Sequence, residues 1–205
     1  MRILGRISSI NVQKVVWCAQ ELGLAYERVD VGGKFGGNTT PDYLAKNPNG
    51  RIPVVEDGDV VLWESNAIVR YLAAKHGSGS LWPTDLVVRA DADRWMDWAS
   101  MTLTMAMHGA FWQTVRTPPE QQDKALIAKS TAEGQAAIDI LDKALAGRTY
   151  ITGDTFTMGD IPLGCAAHRW HNLSVPKKSA PNVERWYGRI MERPAVRTVL
   201  TTPIT

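Results

Sequence analysis

The sequence predicts an α+β N-terminal domain of order βαβ-ββα followed by an all-α C-terminal domain, and three observations predict it. Up to residue 77, short apolar strand-like runs alternate with two stretches at helical spacing. A Gly-, Ser- and Pro-rich stretch, "GSGSLWPTD" at 77–85, changes the composition in the way linkers do. Everything beyond it is helical in period. The division is therefore residues 1–78, a linker at 79–85, and a helical domain over 86–205.

Residues 2–5 form the first strand. From Asn11 the apolar positions Val12, Val15, Val16, Ala19 and Leu22 fall at helical spacing until Gly23 closes the helix. "AYERVDV" at 25–31 alternates as a second strand, which completes a right-handed βαβ unit with parallel strands. After the Gly-rich loop "GGKFGGNTTP", apolar runs flank Asp57-Gly58 as a hairpin, leading into a helix with Ile68, Tyr71 and Leu72 on one face. Helices follow over 86–115 and 120–146, and a last one over 182–192 ends before Pro194. Thr157 and Asp160 have capping-box spacing, with Phe156 and Ile161 as the accompanying staple, a device that stabilises a helix start by about 1 kcal/mol.

Composition narrows the function. The chain has 205 residues and 44% hydrophobic content, enough for a proper core. Its 23 basic and 21 acidic residues are spread evenly, so no charge run points to nucleic acid or to an anionic membrane. No stretch approaches the roughly 20 apolar residues of a membrane span, and "MRILGRISSI" lacks a signal-peptide core, so a soluble, cytoplasmic protein is expected. Cys18 and Cys165 stand far apart, which encodes neither a disulfide framework nor a zinc site; both read as half-buried thiols on helices. His168 and His171 are three apart on a helix but have no third ligand, so no metal is expected.

Polar residues concentrate at three places in the first domain. "SSINVQKV" sets Ser8, Ser9 and Asn11 ahead of the first helix. In "GRIPVV", Pro53 opens a strand; with about 5–6% of X–Pro bonds cis, the residues alone leave Ile52–Pro53 trans. In "WESNAI", Ser65 is placed as the N-cap of the next helix with Glu64 before it. A hydroxyl and free N–H groups at a helix N-terminus suit a carboxylate, and Glu64 suits an ammonium, so the pair matches an amino-acid head group; a plain N-cap fits Ser65 equally.

These stretches, with "NPNGRIPVVEDGDVVLWESNAIVRYLA" and "TFTMGDI", are what make the chain resemble the cytosolic glutathione S-transferases, in particular bacterial serine-type enzymes close to the theta and phi classes. The resemblance covers both halves. It implies a thioredoxin-like N-terminal domain, a helical C-terminal domain and a homodimer, with glutathione as co-substrate and no further cofactor. It implies that Ile52–Pro53 is cis and that the Ile52 backbone pairs with the cysteinyl part of glutathione. It implies that Glu64 and Ser65 hold the γ-glutamyl end, that Arg51 contacts the peptide, and that Lys34, in the loosely matched stretch 34–39, approaches the glycyl carboxylate. Ser9 is then the donor to the glutathione sulfur, with Asn11 as the alternative and Ser8 as a neighbour.

The resemblance leaves the second substrate to the first long helices of the C-terminal half. Met101, Met105, His108, Trp112 and Arg116 are spaced by three or four residues and share one helical face, as an adaptable apolar pocket for a small hydrophobic electrophile or as a core stripe. A peroxidase or disulfide reductase would use the same glutathione site, and a binding module without turnover would keep the fold. An isomerase of the maleylacetoacetate type shares the plan but matches the first-helix motif less well. The absence of a C-x-x-C pair argues against a protein dithiol mechanism.

Overall fold

In the computed structural model, which describes residues 1–200 and 204, a four-stranded sheet is built first. Its strands are β1 (Arg2–Leu4), β2 (Glu27–Val29), β3 (Val54–Asp57) and β4 (Val60–Trp63), in the order β2-β1-β3-β4. β1 runs parallel to β2 and antiparallel to β3, and β3 and β4 form the hairpin expected around Asp57-Gly58. The second strand is shorter than the 25–31 its alternation suggests, because only Glu27–Val29 lies beside β1. Helices α1 (Ile10–Glu21), α2 (Pro41–Lys46) and α3 (Ser65–His76) complete the thioredoxin-like arrangement.

The helical half begins with α4 (Leu86–Trp98), capped by Asp85, whose carboxylate accepts from Val87 N and Val88 N. The single helix expected over 86–115 is instead a series: α4, a π-helical segment (Ala99–Leu103), α5 (Thr104–Ala106), α6 (His108–Phe111) and a second π-helical segment (Trp112–Arg116). α7 (Lys124–Ala144), α8 (Asp160–Asn172) and α9 (Pro181–Met191) follow. Residues 201–203 and 205 of the expected helical domain lie outside the described residues.

The start of α8 corrects the expected cap. Asp160 Oδ2 accepts from Thr157 N at 3.0 Å, as in a capping box. In place of the reciprocal arm, Asp160 N donates to Thr157 O at 3.0 Å. Thr157 Oγ1 itself donates to Asp160 Oδ2 at 3.4 Å, and Phe156 and Ile161 both join the core.

One hydrophobic core runs through both halves, and α1 is its axis. Residues Val12 through Ala19 are all buried, polar Gln13 and Lys14 included, because α3 packs on one side of α1 and α8 on the other. A helix enclosed in this way has no solvent face to keep polar. Trp17 settles on Gly164 of α8, where even a Cβ would meet its ring at 2.7 Å. Trp17 Nε1 also donates to Glu21, which Arg193 grips with two bonds of 2.6 and 2.7 Å. The first helix is thereby locked to the C-terminal half. Among the described residues no helix is long and apolar enough to cross a membrane.

Candidate active site

The N-termini of α1 and α3 meet at one edge of the N-terminal domain. Ser9 is the cap residue of α1, extended at φ −82° and ψ 124°; its carbonyl accepts from Gln13 N at 2.9 Å, and its hydroxyl makes no capping bond. Asn11, exposed in the first turn, accepts through Oδ1 from the Ser65 hydroxyl at 3.3 Å. That bond leaves the Asn11 Nδ2 donors without a partner among the described residues. The first N–H groups of both helices, which have no acceptor within their own helix, lie at the same edge and make it attractive to anions.

The α3 start departs from the expectation that Ser65 is the N-cap. Glu64 occupies the cap position with φ +69°, and Ser65 is the first helical residue. Left-handed backbone at a non-glycine residue is sterically costly and turns the chain sharply between β4 and α3. Ser65 is 6% exposed and Glu64 is exposed. Beside them Ile52–Pro53 is cis, as the resemblance implies, and β3 begins after the proline at Val54. Arg51 is exposed, while its carbonyl accepts from Tyr43 Oη at 2.8 Å and Asn47 Nδ2 at 2.7 Å, which ties the loop back to the C-terminal end of α2.

Between the two halves lies a cleft of about 680 Å³, lined by Arg6, Ser8, Lys34, Phe35, Val115 and Arg116 among others. It joins the β1–α1 loop to the end of the second π-helical segment. Arg6 donates to Ser8 Oγ, so Ser8 belongs to this cleft. Lys34 is exposed and lies 5.1 Å above the Phe35 ring. Arg116 stacks on Trp112 at 5.1 Å, and His108 stacks on the same indole at 5.9 Å.

Met101 and Met105 are not brought to this cleft. They line a separate surface groove with Ile140 and are 76% and 60% exposed. The single-face reading assumed 3.6 residues per turn throughout, whereas π-helical bonding spans five residues and rotates the following side chains away from that face. The two methionines therefore part from His108, Trp112 and Arg116.

Comparison with known proteins agrees with this architecture. The glutathione S-transferase N-terminal domain model matches residues 1–74, and the corresponding C-terminal domain model matches residues 103–194. Glutathione S-transferase GstB of Escherichia coli strain K12 is 44% identical over 203 residues, 98% of each chain. The chain belongs to the glutathione S-transferase family. Glutathione S-transferase 3 of Zea mays is 32% identical and matches all of this chain and 95% of its own. A crystal structure of the theta class enzyme from Xanthomonas axonopodis pv. citri, with glutathione bound, superposes with a TM-score of 0.96 at 45% identity, covering 100% of this chain and 98% of that one.

Within this glutathione S-transferase the two cysteines are core residues. Burial pushes the Cys165 thiol up to about 12 and raises Cys18 as well, which removes both as nucleophiles. His168 Nδ1 lies 2.8 Å from Tyr187 Oη, and no grouping able to hold a metal ion occurs among the described residues. No motif marks Arg6 or Phe35 as a lining residue, although Arg6 lies just ahead of "SSINVQKV" and Phe35 lies inside the stretch 34–39.

Proposed function

We propose that this family member binds glutathione across the joined N-termini of α1 and α3 and activates its thiol as a thiolate for attack on a hydrophobic electrophile. The observation that carries the reading is the 3.3 Å bond from Ser65 to Asn11, which ties the γ-glutamyl end of the expected site to its thiol end. Ser65 and the α3 N–H groups suit the γ-glutamyl carboxylate, and Glu64 suits the ammonium on the same carbon. The Ile52 backbone after the loop fixed by Tyr43 and Asn47 faces the cysteinyl residue, with Pro53 closing the turn. Arg51 is assigned to the peptide and Lys34 to the glycyl carboxylate.

A free thiol titrates near 8.5, so lowering it by two units needs about 2.7 kcal/mol of preferential thiolate binding. Donors at a helix N-terminus are a sufficient source. Ser9 and Asn11 are the two candidates, and Asn11 gains weight because Ser65 holds its Oδ1 and leaves its N–H groups to donate. Neither attacks; each stabilises the attacking sulfur.

Residues 1–78 form the glutathione part in this reading, 79–85 the connection, and 86–205 the wall of the electrophile pocket. That pocket is the cleft at Phe35, Val115 and Arg116, backed by Trp112 and His108. The exposed groove at Met101, Met105 and Ile140 then serves a homodimer interface rather than the electrophile. Two buried, unpaired thiols fit a reducing compartment such as the cytoplasm.

The test is a titration with glutathione from pH 5 to 9, following thiolate absorbance in wild type, Ser9→Ala and Asn11→Ala. Thiolate forming well below pH 8, and lost in one variant that still binds, is the expected result and names the donor. Binding with an unshifted thiol would defeat the proposal.

A further inference from the structure

Lys14 lies on α1 one turn beyond Asn11 and is only 2% exposed. A buried ammonium is strongly disfavoured unless a carboxylate or several acceptors compensate it. Among the described residues Lys14 has no ion-pair partner, and its one hydrogen bond runs to Ser100 Oγ at 3.2 Å. The same Oγ accepts from Asn66 Nδ2 at 3.2 Å, and Asn66 follows Ser65 directly. Asn66 Nδ2 also reaches Met96 O at 2.8 Å, while its Oδ1 is buried without a partner. Ser100 belongs to the first π-helical segment, a geometry often found where a helix presents a side chain to a functional site.

The charged and titratable groups that face Lys14 are Cys165 and Arg169 on α8 and Glu64 ahead of α3. Cys165 is held neutral and Arg169 is a second buried cation, so only Glu64 opposes the charge. Positive charge thus accumulates behind the first turn of α3, opposed among the facing groups by the exposed Glu64 alone.

We propose that Lys14 is a positioning residue for glutathione: through Ser100 and Asn66 it braces the first turn of α3, and its buried charge favours the γ-glutamyl carboxylate bound there. The inference rests on the placement of that carboxylate at Ser65 proposed above. Burial lowers Lys14 to about 8, with Arg169 adding to the effect, and an arriving carboxylate raises it again. The contribution to affinity is therefore complete below about pH 8 and lost as the pH rises beyond it.

The experiment is calorimetric titration of the full chain with S-methylglutathione, which has no titrating thiol, and with the analogue lacking the γ-glutamyl α-carboxylate. Lys14→Met is expected to weaken S-methylglutathione about tenfold at pH 7 and to leave the analogue unchanged. In wild type the preference for S-methylglutathione over the analogue is expected to fall about threefold between pH 7 and 8.5, and to stay flat in the variant. Equal weakening of both ligands marks a structural role and overturns the proposal, as does no weakening of either. Should Lys14→Met not fold, the wild-type preference decides alone, and a flat profile overturns it. Failure of wild type to bind S-methylglutathione removes the glutathione site itself, a result distinct from binding that ignores Lys14.

Discussion

Asp160, fully buried at the start of α8, receives donors from Ile151 N at 2.9 Å, Thr157 N at 3.0 Å and Trp186 Nε1 at 2.9 Å, whereas Lys14, equally dry on α1, has one neutral partner. Desolvation moves both toward their neutral forms, Asp160 up to about 6 and Lys14 down to about 8. What differs is the setting. Asp160 ties the 149–160 loop and α9 to α8, and its acceptor capacity is nearly filled. Lys14 stands next to the proposed glutathione edge with capacity to spare. The satisfied charge of Asp160 holds the fold together, whereas the unsatisfied one of Lys14 is, in our proposal, kept for a ligand.

The largest expected effect comes from Asp160→Ala. It strands three buried donors, each worth about 1–3 kcal/mol, so urea unfolding is expected to show a loss of about 4 kcal/mol or more. A loss below about 1 kcal/mol would break the contrast, because the carboxylate would then be no more structural than Lys14.

Next in size is the pH dependence that Asp160 creates. Its folded value of about 6 exceeds the ordinary 3.8, so the folded state holds the proton more tightly than the unfolded chain. Its contribution is most favourable below 3.8 and declines as the pH climbs through 6, by about 3 kcal/mol in all. The stability of wild type relative to Asp160→Asn is therefore expected to fall across that window, and a constant difference would contradict the assignment.

The smallest effect is expected on the stability of Lys14→Met. Replacing an uncompensated buried cation by an apolar chain of similar length is expected to be neutral or to stabilise by about 1 kcal/mol, opposite in sign to Asp160→Ala. A loss above about 2 kcal/mol in the same unfolding assay would make Lys14 a structural residue and erase the comparison.

Much of this architecture is legible in the linear chain. The Asp57-Gly58 turn between apolar runs and the period of α1 and α3 are local signals, and each element formed close to where they lie. The candidate site residues Ser9, Asn11, Pro53, Glu64 and Ser65 all stand in the short motifs that carry the family resemblance. Other features had no local signal. A π-helical segment keeps the apolar look of an α-helix while turning its faces, so Met101 and Met105 could not be separated from Arg116 by spacing. Ser65 looked like a cap because the left-handed turn at Glu64 is a property of how β4 meets α3.

The sequence by itself determined the order of strands and helices, the two-part division, the hairpin and the polar residues at the α1 and α3 starts, because backbone propensity and apolar period act over a few residues. Only the tertiary structure decided which of those polar groups are dry and whom they meet. Lys14, set among valines on α1, is buried by α8, which begins 146 residues later at Asp160, and it meets Ser100 across the junction of the two halves. Burial and pairing arise where distant segments close on each other, and no local period encodes that closure.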